Sequence, residues 1–388
     1  MPSRRKLVLG AGVATAGIAG AGFWRSRSEQ SHIEAQILLL NLSQDDLSAG
    51  RKLLSRVLAI DVHAHPGRSF IVNAENLGAS LKLFTLGGAF EEESVKDMIV
   101  GGLSVASFAI VSDFQLLGVG DAGISATREF EAGEAWQSYK TQMARMHHLT
   151  NTGLVVPVLF PDDFIKVRKN NKLGGFFTAE GGDFLEGSLQ HLDQAYEDGI
   201  RSITIVHYHV NEIGDIQTAT PVHGGLSKFG SKLIRAMNEK GILIDLAHAS
   251  RKTAIEAIET SEKPAMLSHT AIRGPGFDSA RFIDLDLARL VTENGGLIGA
   301  WPAGIGLMSL GDYAEQIFRL VDLVGIDHVV LGTDMDANYK PVFDNYRQLP
   351  VLVAALLKKG LSEEDTSKFL GGNFLRVFRE VSHMAAVH

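Results

Sequence analysis

Nine apolar runs recur along the chain, and most end in a polar or charged side chain. They are LAIDVHAH (58–65), VASFAIVSDF (105–114), GLVVPVLF (153–160), GGFFTAEGG (174–182), IRSITIVHYH (200–209), GILIDLAHAS (241–250), KPAMLSHT (263–270), GGLIGAWPAG (295–304) and HVVLGTDMDA (328–337). Apolar runs of this length, bounded by glycine and polar clusters, predict buried strands. Stretches of helical period fall between them at 186–198, 226–240, 251–261, 284–294, 312–324 and 350–358, with a last helix near 362–381. Glu34 to Val57 reads as a helix leading into the first strand, and Glu129 to Leu149 as an amphipathic helix. Residues 66–103 read as a long loop with a short helix, and the stretch after residue 114 as a Gly-rich loop. Strands alternating with helices predict βαβ units around a parallel sheet. Nine runs are one too many for an eight-stranded barrel. The run at 153–160 holds Pro157, is followed by Pro161 and ends in no polar side chain, so it is expected to be an edge segment. The expected fold class is α/β, a (β/α)8 TIM-type barrel with a long loop after its first strand.

The chain starts MPSRRKLVLGAGVATAGIAGAGFW. Ser3-Arg4-Arg5-Lys6-Leu7 ahead of a weakly hydrophobic Gly/Ala run resembles a twin-arginine export signal. Ala19-Gly20-Ala21 is a candidate cleavage site, and an uncleaved N-terminal anchor is the alternative. The expectation is a signal segment over 1–28, a catalytic domain over 29–388, transient contact with the twin-arginine machinery and a periplasmic or otherwise exported location. An apolar content of 45% suffices for a large core. A net charge of −8 argues against nucleic acid as a partner. The absence of cysteine excludes disulfides and thiolate metal sites. Any metal is therefore held by histidine and carboxylate, a donor set that suits zinc and its first-row neighbours.

Six such donors sit at strand ends: His63, His65, Glu180, His248, His269 and Asp334. Barrel chemistry is built where the strands finish. His63 and His65 are two apart, so their side chains point to one side and can grip one ion, although a surface pair has the same spacing. A carboxylate such as Glu180 at the end of a buried strand is costly unless paired or bound to a cation. Its ordinary alternative is a capping or salt-bridged glutamate. A lone histidine in the place of His248 or His269 is usually a satisfied core residue, but two on successive strands can share an ion. Asp245 is read either as orienting a neighbour or as a strand-interior polar residue. Asp334 could equally make a plain turn with Gly332 or Asp336; in a closed barrel it lies beside His63 and His65. Two further residues could meet a substrate. His207, with His209 two positions on, ends an apolar run, and Arg281 could clamp a carboxylate through two parallel hydrogen bonds or be a simple first-turn helix arginine.

Taken in order, HAH, EGG, IVH with Asn211 four residues on, DLAH, LSH, RFIDLD and GTDMDA resemble the membrane (renal-type) dipeptidase family of zinc peptidases, over about residues 55 to 380. The resemblance implies a barrel with two Zn²⁺ ions, other first-row divalent metals being admissible. His63, His65 and Asp334 would hold the first ion, His248 and His269 the second, and Glu180 would bridge them. His207 would polarise the scissile carbonyl or stabilise its oxyanion, Arg281 would bind the carboxylate of a dipeptide, and Asp334 would handle the proton of the attacking water. The reaction implied is hydrolysis of a dipeptide by metal-activated water. A related amidohydrolase acting on a non-peptide amide, lactone or phosphoester is the alternative, and a non-enzymatic binding protein on a degenerate barrel a third reading. The family usually has aspartate where His65 stands. Imidazole there makes the site more positive by one charge, which is expected to ease ionisation of a coordinated water and to favour anions. The oligomeric state is left open, a homodimer included.

Overall fold

The computed structural model describes residues 30–120, 123–170 and 172–382. The segment expected to direct export, 1–28, lies outside them. Among the described residues eleven strands form: β1 (Ile60–Asp61), β2 (Val105–Val111), β3 (Leu117–Gly120), β4 (Gly123–Ala126), β5 (Val156–Pro157), β6 (Gly174–Glu180), β7 (Ser202–Thr204), β8 (Leu243–Asp245), β9 (Met266–Thr270), β10 (Leu297–Ala300) and β11 (Val329–Leu331). Eight of them run parallel in the order β1-β2-β6-β7-β8-β9-β10-β11. The ring nearly closes, because Val62 N donates to Leu331 O at 3.0 Å, Asp334 N to His63 O at 2.8 Å and His65 N to Met335 O at 2.9 Å. β5 stands off this ring, pairing only with the start of β6 at Gly174 and Gly175. Proline leaves it one donor short, as expected of this run. Helices between the strands cover the outside.

The barrel is filled from below. Val105, Phe176, Leu243, Met266, Leu297 and Val330 cluster with Phe374, Phe378 and Val381 of the last helix, Asn373–Ser382. Phe374, Val377, Phe378 and Val381 recur at helical spacing, so one face of that helix is apolar and seals the floor. The Phe176 ring meets those of Phe374 and Phe378 edge-on at 5.3 and 5.2 Å. Residues two apart on a strand share a face. Above Phe176 on β6 come Thr178 and then Glu180, so the lumen turns from apolar floor to charged rim within one strand.

Four local expectations are corrected. The stretch 34–57 is two helices, since residues 30–39 are helical, Asn41 takes a left-handed φ of 50°, and Gln44–Leu54 starts anew. Ser43 and Asp46 form the capping box that begins it. The Gly-rich loop contains the antiparallel hairpin β3–β4. The 66–103 loop holds helices Ala79–Phe84 and Glu91–Gly101 besides a tight turn at Pro66–Ile71. The last helix is interrupted by a π turn, Lys368–Gly372, where Gly371 lies so near the barrel that a Cβ would come within 2.3 Å of Leu58 O. Among the described residues no helix is long and apolar enough to cross a membrane.

Candidate metal centre

Glu180 ends β6 in the middle of the rim, and imidazoles from four other strands converge on its two oxygens. Oε1 lies 3.3 Å from His63 Nε2, 3.2 Å from His248 Nε2 and 3.5 Å from His269 Nε2. Oε2 lies 3.2 Å from His65 Nε2 and 3.4 Å from His207 Nε2. Asp334 Oδ1 is 3.4 Å from His65 Nε2. All six expected ligands thus meet in one buried cup. Two donor groups share the glutamate: His63, His65 and Glu180, and Glu180, His248 and His269.

The backbone is bent to deliver these groups. His248 and Asp334 take left-handed φ values of 67° and 55°. Such conformations are unfavourable for residues with a side chain, and they concentrate at functional sites. On β9 a bulge intervenes: three steps from Leu267 to Thr270 face two steps from Ile298 to Ala300 on β10. A bulge re-aims the side chains it contains, and here those are Ser268 and His269. The crowding needs glycine opposite, because a Cβ on Gly299 or Gly332 would come within 1.7 or 1.8 Å of Ser268 O.

Two strand aspartates brace the histidine runs. Asp245 Oδ1 accepts from Ala247 N and Ser268 N at 3.0 and 2.9 Å, and its Oδ2 from Thr204 Oγ1 at 2.6 Å. It therefore fixes the segments carrying His248 and His269 without touching either ring. Asp61 does the same between β1 and β11, accepting from His63 N and Thr333 N at 3.2 and 3.1 Å and from Thr333 Oγ1 and Tyr346 Oη at 2.5 and 2.8 Å.

The donor set fits a cation. His65 Nδ1 faces Ala109 O at 3.2 Å and His269 Nδ1 faces Ser268 Oγ at 2.9 Å, which turns both Nε2 atoms inward. His63 Nε2 and His65 Nε2 are buried without a hydrogen-bond partner. His248 and His269 present Nε2 to Nε2 at 3.0 Å. Burial holds the pKa of both far below the usual histidine range, with the Arg281 charge adding to the effect on each. Two neutral nitrogens facing each other suit an ion between their lone pairs. Burial would likewise raise the Glu180 pKa, but the imidazoles, His207 and His63 foremost, hold it well below the carboxylate range. At His65 burial disfavours the charged ring, yet Asp334 and Glu180 lift its pKa to about 10. That is the pull these two carboxylates exert on any positive charge at that spot.

Around the cup lie the substrate-facing candidates. The Nδ1 of His207 sits 2.6 Å from Asp113 Oδ1. Arg281 is a buried turn residue rather than a first-turn helix residue; its Nη2 is 3.2 Å from His269 Nε2, its Nη1 donates to Gln217 Oε1, and its Cζ stands 5.4 Å from the centre of the Trp301 ring. His209 turns away from the cup, to Asp183 Oδ1 at 2.6 Å and Glu129 Oε2 at 2.9 Å. Asn211 braces its own turn, accepting from Ile213 N at 3.0 Å. Asp61, Asp113, Gln217 and Trp301 are not singled out by the sequence, because their roles rest on contacts between distant strands. A buried aspartate straight after the β2 run was the one available hint.

The profile of the membrane dipeptidase family (peptidase family M19) matches residues 52–388. The chain belongs to this family. Relatives include dipeptidase tcpJ of Claviceps purpurea, 29% identical over 58% of this chain and 55% of that protein, and dipeptidase aclJ of Aspergillus oryzae, 31% identical over 55% and 53%. Rat dipeptidase 3 is 28% identical over 56% and 47%. The chain thus spans about half the length of the curated relatives it matches. Two solved structures share the fold: the probable dipeptidase PvdM of Pseudomonas aeruginosa (TM-score 0.73, 19% identity, 88% of this chain, all of that one) and a Rhodobacter sphaeroides metallopeptidase liganded with a phosphinate mimic of the dipeptide L-Ala-D-Ala (TM-score 0.71, 18% identity, 84% and 99%). Membership of a metallopeptidase family and the His/Glu clusters together mark the M19 cup as the place of a metal cofactor.

Proposed function

We propose that this M19 chain is a dinuclear zinc dipeptidase, exported through its twin-arginine-type leader to the periplasm or otherwise out of the cytoplasm. One observation carries the catalytic reading: a single buried carboxylate, Glu180, is bracketed by two sets of imidazoles. His63, His65 and Asp334 would hold one ion and His248 and His269 the other, with Glu180 within reach of both. When bound, the ion pair supplies Lewis-acid polarisation and a nucleophilic water near neutral pH. The chain's own residues do the rest. Arg281 holds the carboxylate of the dipeptide, as a planar guanidinium does best. His207 presents its Nε2 to the carbonyl oxygen as charge develops there. Asp334 takes the proton of the attacking water. The relatives named as dipeptidases support a small peptide substrate over a lactone or phosphoester.

The deciding experiment is elemental analysis of gently purified protein alongside a panel of dipeptides, on wild type and His65→Asp. Two equivalents of zinc and dipeptide turnover are expected. Metal-free protein, or a metallated protein inert on every dipeptide, overturns the reading.

A further inference from the structure

The imidazole of His207 has one nitrogen facing Glu180 and the other facing Asp113, whose carboxylate is wholly buried. Asp113 follows the last residues of β2, two positions past Val111. It spends both oxygens on one neighbouring segment. Oδ1 lies 2.6 Å from His207 Nδ1, and Oδ2 accepts from Tyr208 N at 3.0 Å. A carboxylate accepts only, so the proton between them sits on Nδ1. That bond fixes the ring: Nδ1–H is committed to Asp113 and Nε2 faces the reaction side, where it can meet a growing oxyanion only as a second N–H, the Asp113 carboxylate balancing the charge of the ring. The second bond pins the backbone one residue on, so the ring cannot swing about its own Cα. The Tyr208 ring then meets His207 and His248 edge-on at 4.6 and 4.9 Å, closing the remaining directions.

We propose that Asp113 is the positioning residue of this site, setting the aim of His207 toward the carbonyl oxygen of the substrate and balancing the charge of the ring when both of its nitrogens carry protons. It touches neither the cup's donor atoms nor the substrate. Its effect is on how well His207 meets the charge that grows in the transition state, so it acts on kcat rather than on ground-state binding. The inference rests on the dipeptidase reading for its kinetic consequence, but its structural half does not.

The test uses the metal-loaded full chain. Asp113→Asn keeps the shape and removes the charge. Expected are a fall in kcat of about 10- to 100-fold, as is usual for a residue acting through another, a KM within about twofold, and unchanged metal content. The affinity for a phosphinate dipeptide mimic should fall in step with kcat/KM. Asp113→Glu should recover part of the loss. A kcat unchanged in Asp113→Asn, a loss confined to KM, or a loss explained by missing metal or lost cooperative unfolding overturns the assignment. A second arm needs no substrate: in ¹⁵N-histidine-labelled protein, the signal absent from His207→Gln should carry its proton on Nδ1, far downfield, and move upfield in Asp113→Asn. A proton found on Nε2 alone, or indifferent to Asp113→Asn, rejects the proposal even if no dipeptide is ever cleaved; a correct NMR signature with no dipeptide turnover leaves the positioning standing and sinks only the dipeptidase reading.

Discussion

At the scale of single residues, the cup depends on one carboxylate serving many partners. Glutamine in place of Glu180 offers one oxygen and an NH₂ that cannot bind a cation. Glu180→Gln is expected to lose at least one metal equivalent by elemental analysis and more than about 100-fold in kcat/KM, beyond the usual effect of a supporting residue. A fully metallated, fully active variant would defeat the bridging role. If Arg281 clamps the substrate carboxylate as proposed, Arg281→Ala should cost about 2–5 kcal/mol, or roughly 30-fold or more in kcat/KM for dipeptides. Uncharged esters should lose much less, and equal losses would reject the carboxylate clamp. His65→Asp returns one negative charge to the cup, so inhibition by phosphate should weaken; a Ki equal to or below that of wild type counts against the charge argument. His209 gives a pH signature away from the cup. Burial disfavours its charge, but Asp183 and Glu129 lift its pKa from 6.5 to about 9. Stability from this group is therefore complete below pH 6.5 and lost as pH rises through 9. Chemical denaturation across that window should show the decline, and His209→Gln should flatten it.

The elements explain what could be read in advance and what could not. The strand ends were legible because buried β runs leave a strong apolar signature, and a histidine or acid closing such a run stands out. His63, His65, Glu180, His248, His269 and Asp334 were all visible this way. Helix breaks were less so. The Ser43–Asp46 cap divides an apparently continuous apolar period, and the π turn at Gly371 follows from contact with Leu58, distant in the chain. The β9 bulge left no local trace either, since it is defined by the register of a neighbour. Its glycine partner offers a check. A methyl on Gly299 would collide with backbone rather than with a flexible side chain, so Gly299→Ala should destabilise by about 1–3 kcal/mol. A lowered melting temperature by calorimetry, together with weakened metal retention, is the expected outcome; an unchanged melting temperature would show that β9 and β10 can separate freely.

For the whole molecule, the cup joins strands that are far apart in the chain, so a cation bound there stabilises the ring as a unit. Ligand at 1,000 times its Kd contributes about 4 kcal/mol. Stripping the metal with a chelator should lower the melting temperature by several degrees, and adding zinc should restore it. A melting curve indifferent to chelation would place the ion elsewhere. The sealed underside has a further consequence. The floor is the face of Asn373–Ser382, and β1 finds its final neighbour only in β11. During synthesis the two cup imidazoles of the β1 segment, His63 and His65, are therefore made long before Asp334. The ring is completed late, by contacts of large sequence separation, which makes maturation slow. The proposed pair of ions could not be fully ligated until Asp334, near the end of the chain, had joined the rim.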